Sequence, residues 1–491
     1  MEKKFDTFFH AQVVAMIGFS PSPGNLGRSI VINCKRWGYA GKIYGVSPNK
    51  GEFEGAKIVN SLSEIPEKID LALIITKAAI APQVLLDCAK HGIKHVAITS
   101  AGFEEVKTPE GFELARQVKE ICLKYKIQMV GPNGIATSST ATGLCLSFMP
   151  LSKPPAGKIA FLTQSGGVGT TMLEHLKNDA VPLGKFVSLG NKTMLDEVDF
   201  LDYLADDPET EVICIYLEDL RRGREFLESA QKCQKPVIVY KANISPYGQN
   251  AAGTHTAAMA NDERVMDCAF RQAGVIRAKS LIEMFHLAKA FSMPPMKGNR
   301  LLLISPSGGL AVILGDLAWK HGFELPPIPK ELYEKYAPQR RAGVIDFKNP
   351  LDFGDIYSAE IQRNFLRDLL RHESFDGLCM AYLFRDPEML KMYMNLNQLQ
   401  RDIVSEFVET VDTIKKPVGC TLTVPYHLKG AIQARSPYPI FDDPEDAVAC
   451  MAALRDYYRR AEKKKKEKGL LPKDEKHFSS PLTGEGKGGG D

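Results

Sequence analysis

The chain has 491 residues, of which 44% are hydrophobic and 25% are charged, and its formal net charge at pH 7 is +3. A chain of this length is expected to contain about three domains, each large enough to bury a core of its own. The nearly balanced charge gives no reason to expect binding to nucleic acid or to an acidic membrane surface.

The ten cysteines, from Cys34 to Cys450, form no CxxC pair and no cluster with histidine at metal-ligand spacing. They are therefore predicted to be small buried residues in a reducing compartment, without disulfides or a metal site. No apolar run approaches the roughly 18 residues of a membrane span. The N-terminus lacks the apolar stretch and cleavage site of a signal peptide. We expect a cytoplasmic protein.

Residues 1–148 have the pattern of a doubly wound, Rossmann-like domain. Short apolar runs alternate with amphipathic stretches such as Ile80–His91 and Pro109–Lys124, which suit crossover helices. A proline-rich stretch at Met149–Gly157 marks the boundary to the next unit. The predicted strands are Val13–Ile17, Lys42–Val46, Leu71–Ile75, His95–Thr99 and Gln128–Val130.

Residues 149–294 repeat the alternation and form a second unit. The segment Lys241–Asp262 is so rich in Gly, Ala, Ser and Asn that it is predicted to be a loop rather than a packed element. The predicted strands are Ile159–Thr163, Lys185–Ser188, Val212–Tyr216 and Pro236–Tyr240, and the predicted helices are Val168–Asn178, Glu197–Ala205 and Gly223–Gln231.

Residues 295–460 form a third unit of the same kind. A long helix is expected at Lys391–Thr413 and a final helix from Asp443 to Arg459. The predicted strands are Leu301–Ile304, Gly377–Tyr382 and Pro417–Thr421. Residues 461–491 are first basic and then Gly-rich, which is typical of a disordered tail.

Each unit opens with a strand, a loop of small residues and a helix. These segments are Val13–Gly27, Ile159–Thr171 and Leu301–Leu314. Gly and Ser let the backbone turn tightly, and the positive N-terminus of the following helix is a natural seat for phosphate. One such segment is a weak signal, whereas three at domain-like spacing indicate three doubly wound units.

Three features of the second unit could carry chemistry. His255 stands among hydroxyl side chains, and a neutral imidazole is a nucleophile toward phosphorus when a partner fixes its other nitrogen. Glu218 and the loop 164–167 each follow a strand of the same predicted sheet, so they are expected at one edge of it. On composition alone, a surface histidine and a surface carboxylate remain the alternatives.

Longer stretches resemble a known family. TQSGGVGTTMLEHL, FVSLGNKTMLDEVDFLDYLADDPETEVICIYLED and GTHTAAMA resemble the NDP-forming acyl-CoA synthetases, which include ADP-forming acetyl-CoA synthetase and succinyl-CoA synthetase. The likeness extends over about residues 10–455 and follows the order of an α-type subunit. It implies an α/β chain with a Rossmann-like CoA-binding domain followed by two flavodoxin-like domains.

The resemblance also implies roles for residues at matching positions. His255 takes the place of the phosphorylated histidine, Glu218 that of the glutamate bonded to it, and Ser165, Gly166 and Gly167 that of the phosphate-binding helix start. Positions that match the CoA contacts are Gly18, Ser20, Gly24, Gly27, Ser47, Pro48, Asn49, Lys50 and, near the thiol, Asn133.

The chain departs from the family pattern at a few positions. Gly134 follows Asn133 where many relatives have Cys, Thr76-Lys77 replaces a Val-Pro pair, and the residues around His255 read THTA rather than SHTG. Threonine keeps the hydroxyl group and alanine for glycine alters the freedom of the loop only modestly, so the changes around His255 are compatible with phosphoryl transfer. The CoA-site changes bear on the choice of acid, which the sequence leaves open, as it does the choice between ADP and GDP.

The resemblance implies an acid–CoA ligase that interconverts acyl-CoA, ADP and phosphate with free acid, CoA and ATP through an acyl phosphate and a phosphohistidine. No stretch remains for an ATP-grasp module. A separate β-type ATP-grasp subunit is therefore expected to hold ADP or ATP with magnesium and to form a hetero-oligomer with this chain. The alternative is a CoA or acyl-CoA sensor or scaffold that has lost the ligase cycle. An NAD-linked oxidoreductase is disfavoured, because no clean GxGxxG is present and residues 47–50 lack the expected acidic residue.

Overall fold

A computed structural model shows three sheets, built mainly of parallel strands, that follow one another along the chain. The structure describes residues 5–255, 262–340, 343, 345–356, 358–383, 416–423, 430, 432–434, 436 and 438–467. Within these residues, no helix combines the length and the hydrophobicity that a membrane span requires.

The first sheet has seven strands in the order β3-β4-β2-β1-β5-β6-β7. Its central strand β1 pairs in parallel with β2 on one side and β5 on the other, so the strand order reverses next to the end of β1. Ligands of doubly wound sheets bind at such a point. The strands are β1 (Val13–Ile17), β2 (Lys42–Val46), β3 (Gly51–Phe53), β4 (Ala56–Val59), β5 (Leu71–Ile74), β6 (His95–Ile98) and β7 (Gln128–Val130).

Helices cover both faces of this sheet because their apolar stripes need burial. Asn25 caps the helix after β1, and Gly38 ends it in the left-handed conformation. The helices are α1 (Thr7–His10), α2 (Leu26–Trp37), α3 (Ala81–Lys90) and α4 (Pro109–Tyr125). The five strands and two helices predicted for this unit are therefore present, whereas β3 and β4 are too short and too polar to be recognised in the sequence.

The second sheet has six strands in the order β13-β12-β11-β9-β10-β8. All neighbours are parallel except β8, which pairs antiparallel with β10. The strands are β8 (Thr137–Ser139), β9 (Ala156–Thr163), β10 (Leu183–Ser188), β11 (Val212–Leu217), β12 (Val237–Lys241) and β13 (Ile276–Arg277). The helices are α5 (Gly166–Asn178), α6 (Glu197–Ala205), α7 (Gly223–Lys232), α8 (Pro246–His255), α9 (Glu263–Ala273) and α10 (Leu281–Ala290).

The prediction of a loop throughout Lys241–Asp262 is wrong, because α8 occupies its centre. Ser245 Oγ accepts a hydrogen bond from the Gly248 backbone N–H at 3.1 Å, and proline stands at the first helical position. Three residues with good intrinsic helix propensity, Gln249, Ala251 and Ala252, continue the helix. Within α8, Tyr247 is the one large apolar residue and it is exposed, so the helix leaves no periodic apolar signal in the sequence.

The third sheet has five parallel strands in the order β15-β14-β16-β17-β18. The predicted helix at Lys391–Thr413 and the tail from residue 468 lie outside the described residues. The strands are β14 (Leu301–Ser305), β15 (Leu351–Asp352), β16 (Gly377–Leu383), β17 (Val418–Thr423) and β18 (Ile440–Phe441). The helices are α11 (Gly308–Lys320), α12 (Lys330–Tyr336), α13 (Ala359–Arg371) and α14 (Pro444–Glu467), the last running beyond its predicted end at Arg459.

The first two sheets are joined by the segment that follows β10. Its backbone N–H groups at Asn191 and Leu195 donate to the carbonyl oxygens of Pro132 and Met129, at 2.9 and 3.2 Å. Gly190 has φ of 59°, and a Cβ there would lie 2.1 Å from the Pro132 carbonyl oxygen. Only glycine therefore permits the close approach that brings the end of β7 against the second sheet.

Candidate active site

A cavity of about 800 Å³ lies where the end of β7 meets the carboxyl edge of the second sheet. Its walls come from both units and from the first two turns of α8, so it has a size typical of small-molecule sites. The lining residues are Thr99, Asn133, Gly134, Ile135, Phe148, Met149, Gln164, Ser165, Gly166, Gly167, Thr170, Thr171, Gly190, Asn191, Tyr216, Glu218, Ala242, Asn243, Gly248 and Ala251.

The N-terminus of α5 forms one side of the cavity. Ser165 caps the helix, and its Oγ accepts a hydrogen bond from the Val168 backbone N–H at 3.3 Å. The first N–H groups of a helix have no partner within the helix, and here they belong to Gly166 and Gly167, which have no side chain to cover them. The end of α5 is therefore suited to bind a phosphoryl group or another oxyanion.

Glu218 follows β11 and lies beside this helix end in the lining of the cavity. Its backbone N–H donates to Gln164 Oε1 at 2.9 Å, which couples it to the residue that precedes the α5 cap. Tyr216 donates from its hydroxyl to Glu218 Oε1 at 3.2 Å. Burial and the neighbouring Glu218 carboxylate raise the pKa of Tyr216, so the hydroxyl keeps its proton and remains a donor.

A buried charge network lies directly behind Glu218. Lys192 Nζ contacts the Asp219 carboxylate and lies 3.1 Å from Glu197 Oε2, and all three side chains are at most 2% exposed. Burial alone would raise the pKa of Asp219, but the Lys192 ammonium outweighs it and the net shift is downward. Burial raises the pKa of Glu197 despite the same lysine. Gln164 Nε2 donates to Asp219 Oδ1 at 2.8 Å and connects the network to the cavity.

Two further residues after β12 shape the wall next to Glu218. Lys241 is 3% exposed, and its Nζ donates to the carbonyl oxygens of Glu218 and Ala242 at 2.9 and 2.6 Å. Burial lowers the pKa of this lysine. Asn243 has φ of 60° and is 7% exposed, and neither polar atom of its amide has a hydrogen-bond partner in the described part of the chain.

Asn133 brings the first unit into the cavity. Its backbone N–H donates to the Ser100 carbonyl oxygen at 3.0 Å, and its Nδ2 donates to Asn191 Oδ1 at 3.3 Å. Asn191 Nδ2 in turn donates to Glu105 Oε2 at 2.5 Å. Asn133 has φ of 60°, which suits asparagine better than most residues.

The glycine loop of the first unit lies at the end of β1, outside this cavity. A Cβ on Gly18 would lie 2.7 Å from Thr76 Cγ2, and one on Gly27 would lie 2.5 Å from Phe19 Cδ2. Gly24 has φ of 86° and open space around it. The loop is thus built for close backbone approach, and the N-terminus of α2 follows it, as a pyrophosphate site requires.

Ser47, Pro48, Asn49 and Lys50 follow β2, the neighbour of β1, so they share this edge of the first sheet. Ser47 is fixed by a backbone hydrogen bond to the Val59 carbonyl oxygen, whereas the next three residues are exposed. Lys50 Nζ lies 2.8 Å from Glu64 Oε2, in a pair that is open to solvent. A bound anion would compete with this carboxylate for the lysine.

The structure therefore groups the sequence-predicted residues into two places. Asn133, Glu218 and the residues Ser165–Gly167 share the cavity, and the glycine loop with residues 47–50 shares the carboxyl edge of the first sheet. His255 ends α8, whose Gly248 and Ala251 line the cavity, but the side chain of His255 lies outside the described part of the structure. Sequence reasoning missed Asn191, Asn243 and the network around Lys192, which no local pattern marks as functional.

Comparisons with known proteins agree on one family. A family model described as a CoA binding domain matches residues 12–139, and one described as a succinyl-CoA ligase like flavodoxin domain matches residues 156–291. The chain is 32% identical over 458 residues to the α subunit of ADP-forming acetate–CoA ligase I of Pyrococcus furiosus, covering 91% of this chain and 96% of that protein. The α subunit of ligase II from the same organism is 35% identical, with 91% and 97% covered.

A solved structure agrees in fold over almost the whole chain. It is an acetyl-coenzyme A synthetase 1 of Ca. Korarchaeum cryptofilum, described as dinucleotide forming and in complex with phosphate and ADP. Its TM-score is 0.83 at 27% sequence identity, and the match covers 96% of this chain and 100% of that chain.

Proposed function

This chain belongs to the family of ADP-forming acetate–CoA ligases, and from that premise we propose that it catalyses the acyl and phosphoryl transfer steps of such a ligase, with His255 as the phosphate carrier. The protein is an α-type subunit of an acid–thiol ligase that uses CoA and ADP. The observation that carries the mechanism is the shared cavity, in which the end of the CoA-binding unit faces a helix N-terminus and a carboxylate.

We assign CoA to the carboxyl edge of the first sheet. Its phosphates would lie on the glycine loop at Gly18, Ser20, Gly24 and Gly27, with residues 47–50 alongside. Asn133 follows β7, three strands from β1 in the sheet order, which is about 14 Å at the usual strand spacing. The extended arm of CoA can cross this distance, so its thiol would reach Asn133 at the cavity.

In the first chemical step, phosphate held at the α5 N-terminus attacks the thioester carbonyl carbon. The new bond joins a phosphate oxygen to the acyl carbon, the carbon–sulfur bond breaks, and CoA leaves as a thiolate that takes up a proton. The backbone N–H groups of Gly166 and Gly167 would orient the phosphate and balance its charge, a contribution of about 1 kcal/mol or more where the site is partly buried. The product is an acyl phosphate.

In the second step, an imidazole nitrogen of His255 attacks the phosphorus and the carboxylate of the acid leaves. Gln164 and Tyr216 hold Glu218 at the cavity, and we propose that its carboxylate accepts a hydrogen bond from the other ring nitrogen. This contact would fix the tautomer and stabilise the positive charge that the ring acquires. The phosphoryl group then passes to the terminal phosphate oxygen of ADP, which forms ATP and frees the imidazole.

The nucleotide step calls for a second chain. Both Pyrococcus furiosus relatives are named as α subunits, which implies a partner subunit, and we propose that this partner is a β-type ATP-grasp chain that holds magnesium and the nucleotide. We also place the enzyme in the cytoplasm, because its cysteines are free thiols and most of them are buried, as in proteins of a reducing compartment.

Phosphorylation of His255 tests this function directly. The complex with the ATP-grasp subunit is incubated with γ-labelled ATP and magnesium, without acid or CoA. We expect a label that survives base and is lost in acid, that is absent in His255→Ala, and that forms more slowly in Glu218→Gln. His91→Ala is the matched control, because His91 is an exposed histidine of the first unit. Label that persists in His255→Ala rejects the assignment, and CoA binding without label supports a sensor instead.

A further inference from the structure

The walls of the cavity are chemically divided. Most polar groups lie near the α5 N-terminus and along the ends of the strands, whereas Ile135, Phe148 and Met149 supply an apolar wall. A Cβ on Gly166 would lie 3.3 Å from Ile135 Cγ2, so this wall begins directly beside the phosphate-binding helix end. An acyl group that is attacked by a phosphate bound at that helix end therefore has its hydrocarbon part next to these side chains.

Of the three, Met149 is the strongest indication of a binding surface, because its apolar side chain is 41% exposed. Its backbone is held in place by the first unit: Asn33 Nδ2 donates to the carbonyl oxygens of Ser147 and Met149 at 2.9 and 2.7 Å. Asn33 is 1% exposed, so the anchor is rigid. Phe148 packs partly against the cores on both sides. The wall is thus preformed, with an exposed apolar surface that a ligand could cover.

The charges of the lining residues further restrict which acids the cavity can bind. Among the described lining residues, Glu218 is the one charged side chain, and no Lys, Arg or His is present. A second carboxylate on the acid would be removed from water without a cation to pair with and would face the Glu218 carboxylate, which is unfavourable on both counts. The described walls therefore suit an acid with a single carboxylate.

We propose that Ile135, Phe148 and Met149 form the acid-selecting wall of the ligase, and that it favours monocarboxylic acids with a branched or aromatic body over acetate and over dicarboxylic acids. This inference rests on the proposed function, because it assumes that the acyl phosphate forms at α5. Covering Met149 with hydrocarbon favours the larger acid in the transition state as well as on binding, and a methylene group in an apolar pocket changes kcat/KM by about 10-fold or more.

The test uses the complex with the ATP-grasp subunit and four acids: acetate, 3-methylbutanoate, phenylacetate and succinate. We expect kcat/KM to be highest for phenylacetate or 3-methylbutanoate and lowest for succinate. Met149→Ala is expected to lower kcat/KM for phenylacetate about 10-fold through a higher KM, with little effect on acetate. Met149→Lys supplies a cation and is expected to raise the value for succinate relative to phenylacetate. Leu123→Ala, which removes an exposed apolar residue on α4, is the matched control.

Labelling of His255 from ATP without acid is measured for every variant, because it reports the proposed function and not the choice of acid. Normal labelling together with equal effects of Met149→Ala on all four acids overturns the inference and leaves the function in place. A wild-type preference for succinate or acetate overturns it as well. Loss of the label in the wild-type complex overturns the function itself.

Discussion

Removing the cation of the buried network should loosen the part of the second unit that carries Glu218. In Lys192→Met, the carboxylates of Asp219 and Glu197 stay buried, 2% and 0% exposed, without their shared ammonium group. Breaking a buried ion pair from one side costs about 3–5 kcal/mol, because the remaining charge has no partner. Arg221, whose Nε lies 3.1 Å from Asp219 Oδ2, compensates only partly because it is 40% exposed. We expect a loss at the lower end of that range.

Hydrogen exchange is the suitable assay, because a chain of three units need not unfold in one step and local opening can be measured segment by segment. A loss of about 3 kcal/mol corresponds to exchange more than about 100-fold faster. This acceleration is expected in peptides that cover residues 186–222, with little change in β1 to β7. Phosphorylation of His255 is expected to slow in the same variant, because Gln164 and Asp219 hold the Glu218 backbone in place.

The matched control is Lys158→Met, which breaks the pair of Lys158 with Glu211 in the same unit. Both side chains are more than half exposed, so this pair contributes little to stability. If exchange in residues 186–222 is no faster in Lys192→Met than in Lys158→Met, the buried network does not hold the site together. The double variant Lys192→Met/Asp219→Asn should lose less stability than the sum of the losses in the two single variants, because the two residues interact.

Three other outcomes follow from single contacts. Gly190→Ala places a Cβ against the Pro132 carbonyl oxygen, so we expect the two units to separate locally, with a lower kcat/KM for CoA in steady-state assays and unchanged far-UV circular dichroism. Ser165→Ala removes a helix cap worth about 1 kcal/mol, and the KM for phosphate in the ATP-forming direction should rise while the KM for CoA does not. Burial alone would raise the pKa of Asp207, but its contact with Lys185 brings it below the usual 3.8, so its stabilising contribution is complete above that pH and is lost as the pH falls through the folded-state pKa. Hydrogen exchange of residues 200–212, corrected for the pH dependence of intrinsic exchange, should show this loss between pH 6 and about pH 2 in the wild type and not in Asp207→Asn.

Much of the architecture could be predicted from apolar periodicity. The strands of the second sheet are buried on both faces, so their sequences are continuous apolar runs. The predicted bounds of α6 agree with the structure to the residue, and a capping box formed by Asp196 and Asp199 begins the helix. α8 was missed because it has almost no apolar face, and β8 was missed because its Thr and Ser residues look like a polar linker. In the structure these hydroxyl residues are buried and form side-chain bonds such as Thr137 Oγ1 to the Phe8 carbonyl oxygen at 2.8 Å.

Some residues of the site could also be predicted from the sequence, whereas others could not. Residues beside a strand end, such as Glu218 and Ser165, could be predicted because parallel strands bring their carboxyl ends to one edge. Asn191 and Met149 could not, because they reach the cavity only through the contact between two units, which depends on distant partners. The proline-rich stretch was interpreted as a boundary, yet its first residue lines the cavity. Long-range contacts of this kind leave no trace in local spacing.

The pairing of β8 with β10 determines where a fragment that contains only the second unit must begin. Residues 137–139 come before the stretch that looks like a linker, but they complete the outer rim of the second sheet. A fragment that begins at residue 149 would leave β10 bare, with unpaired backbone groups that invite a strand from another molecule. Expression of the middle unit alone should therefore give aggregates or swapped dimers, and a fragment that starts before residue 137 should remain monomeric at the same concentration.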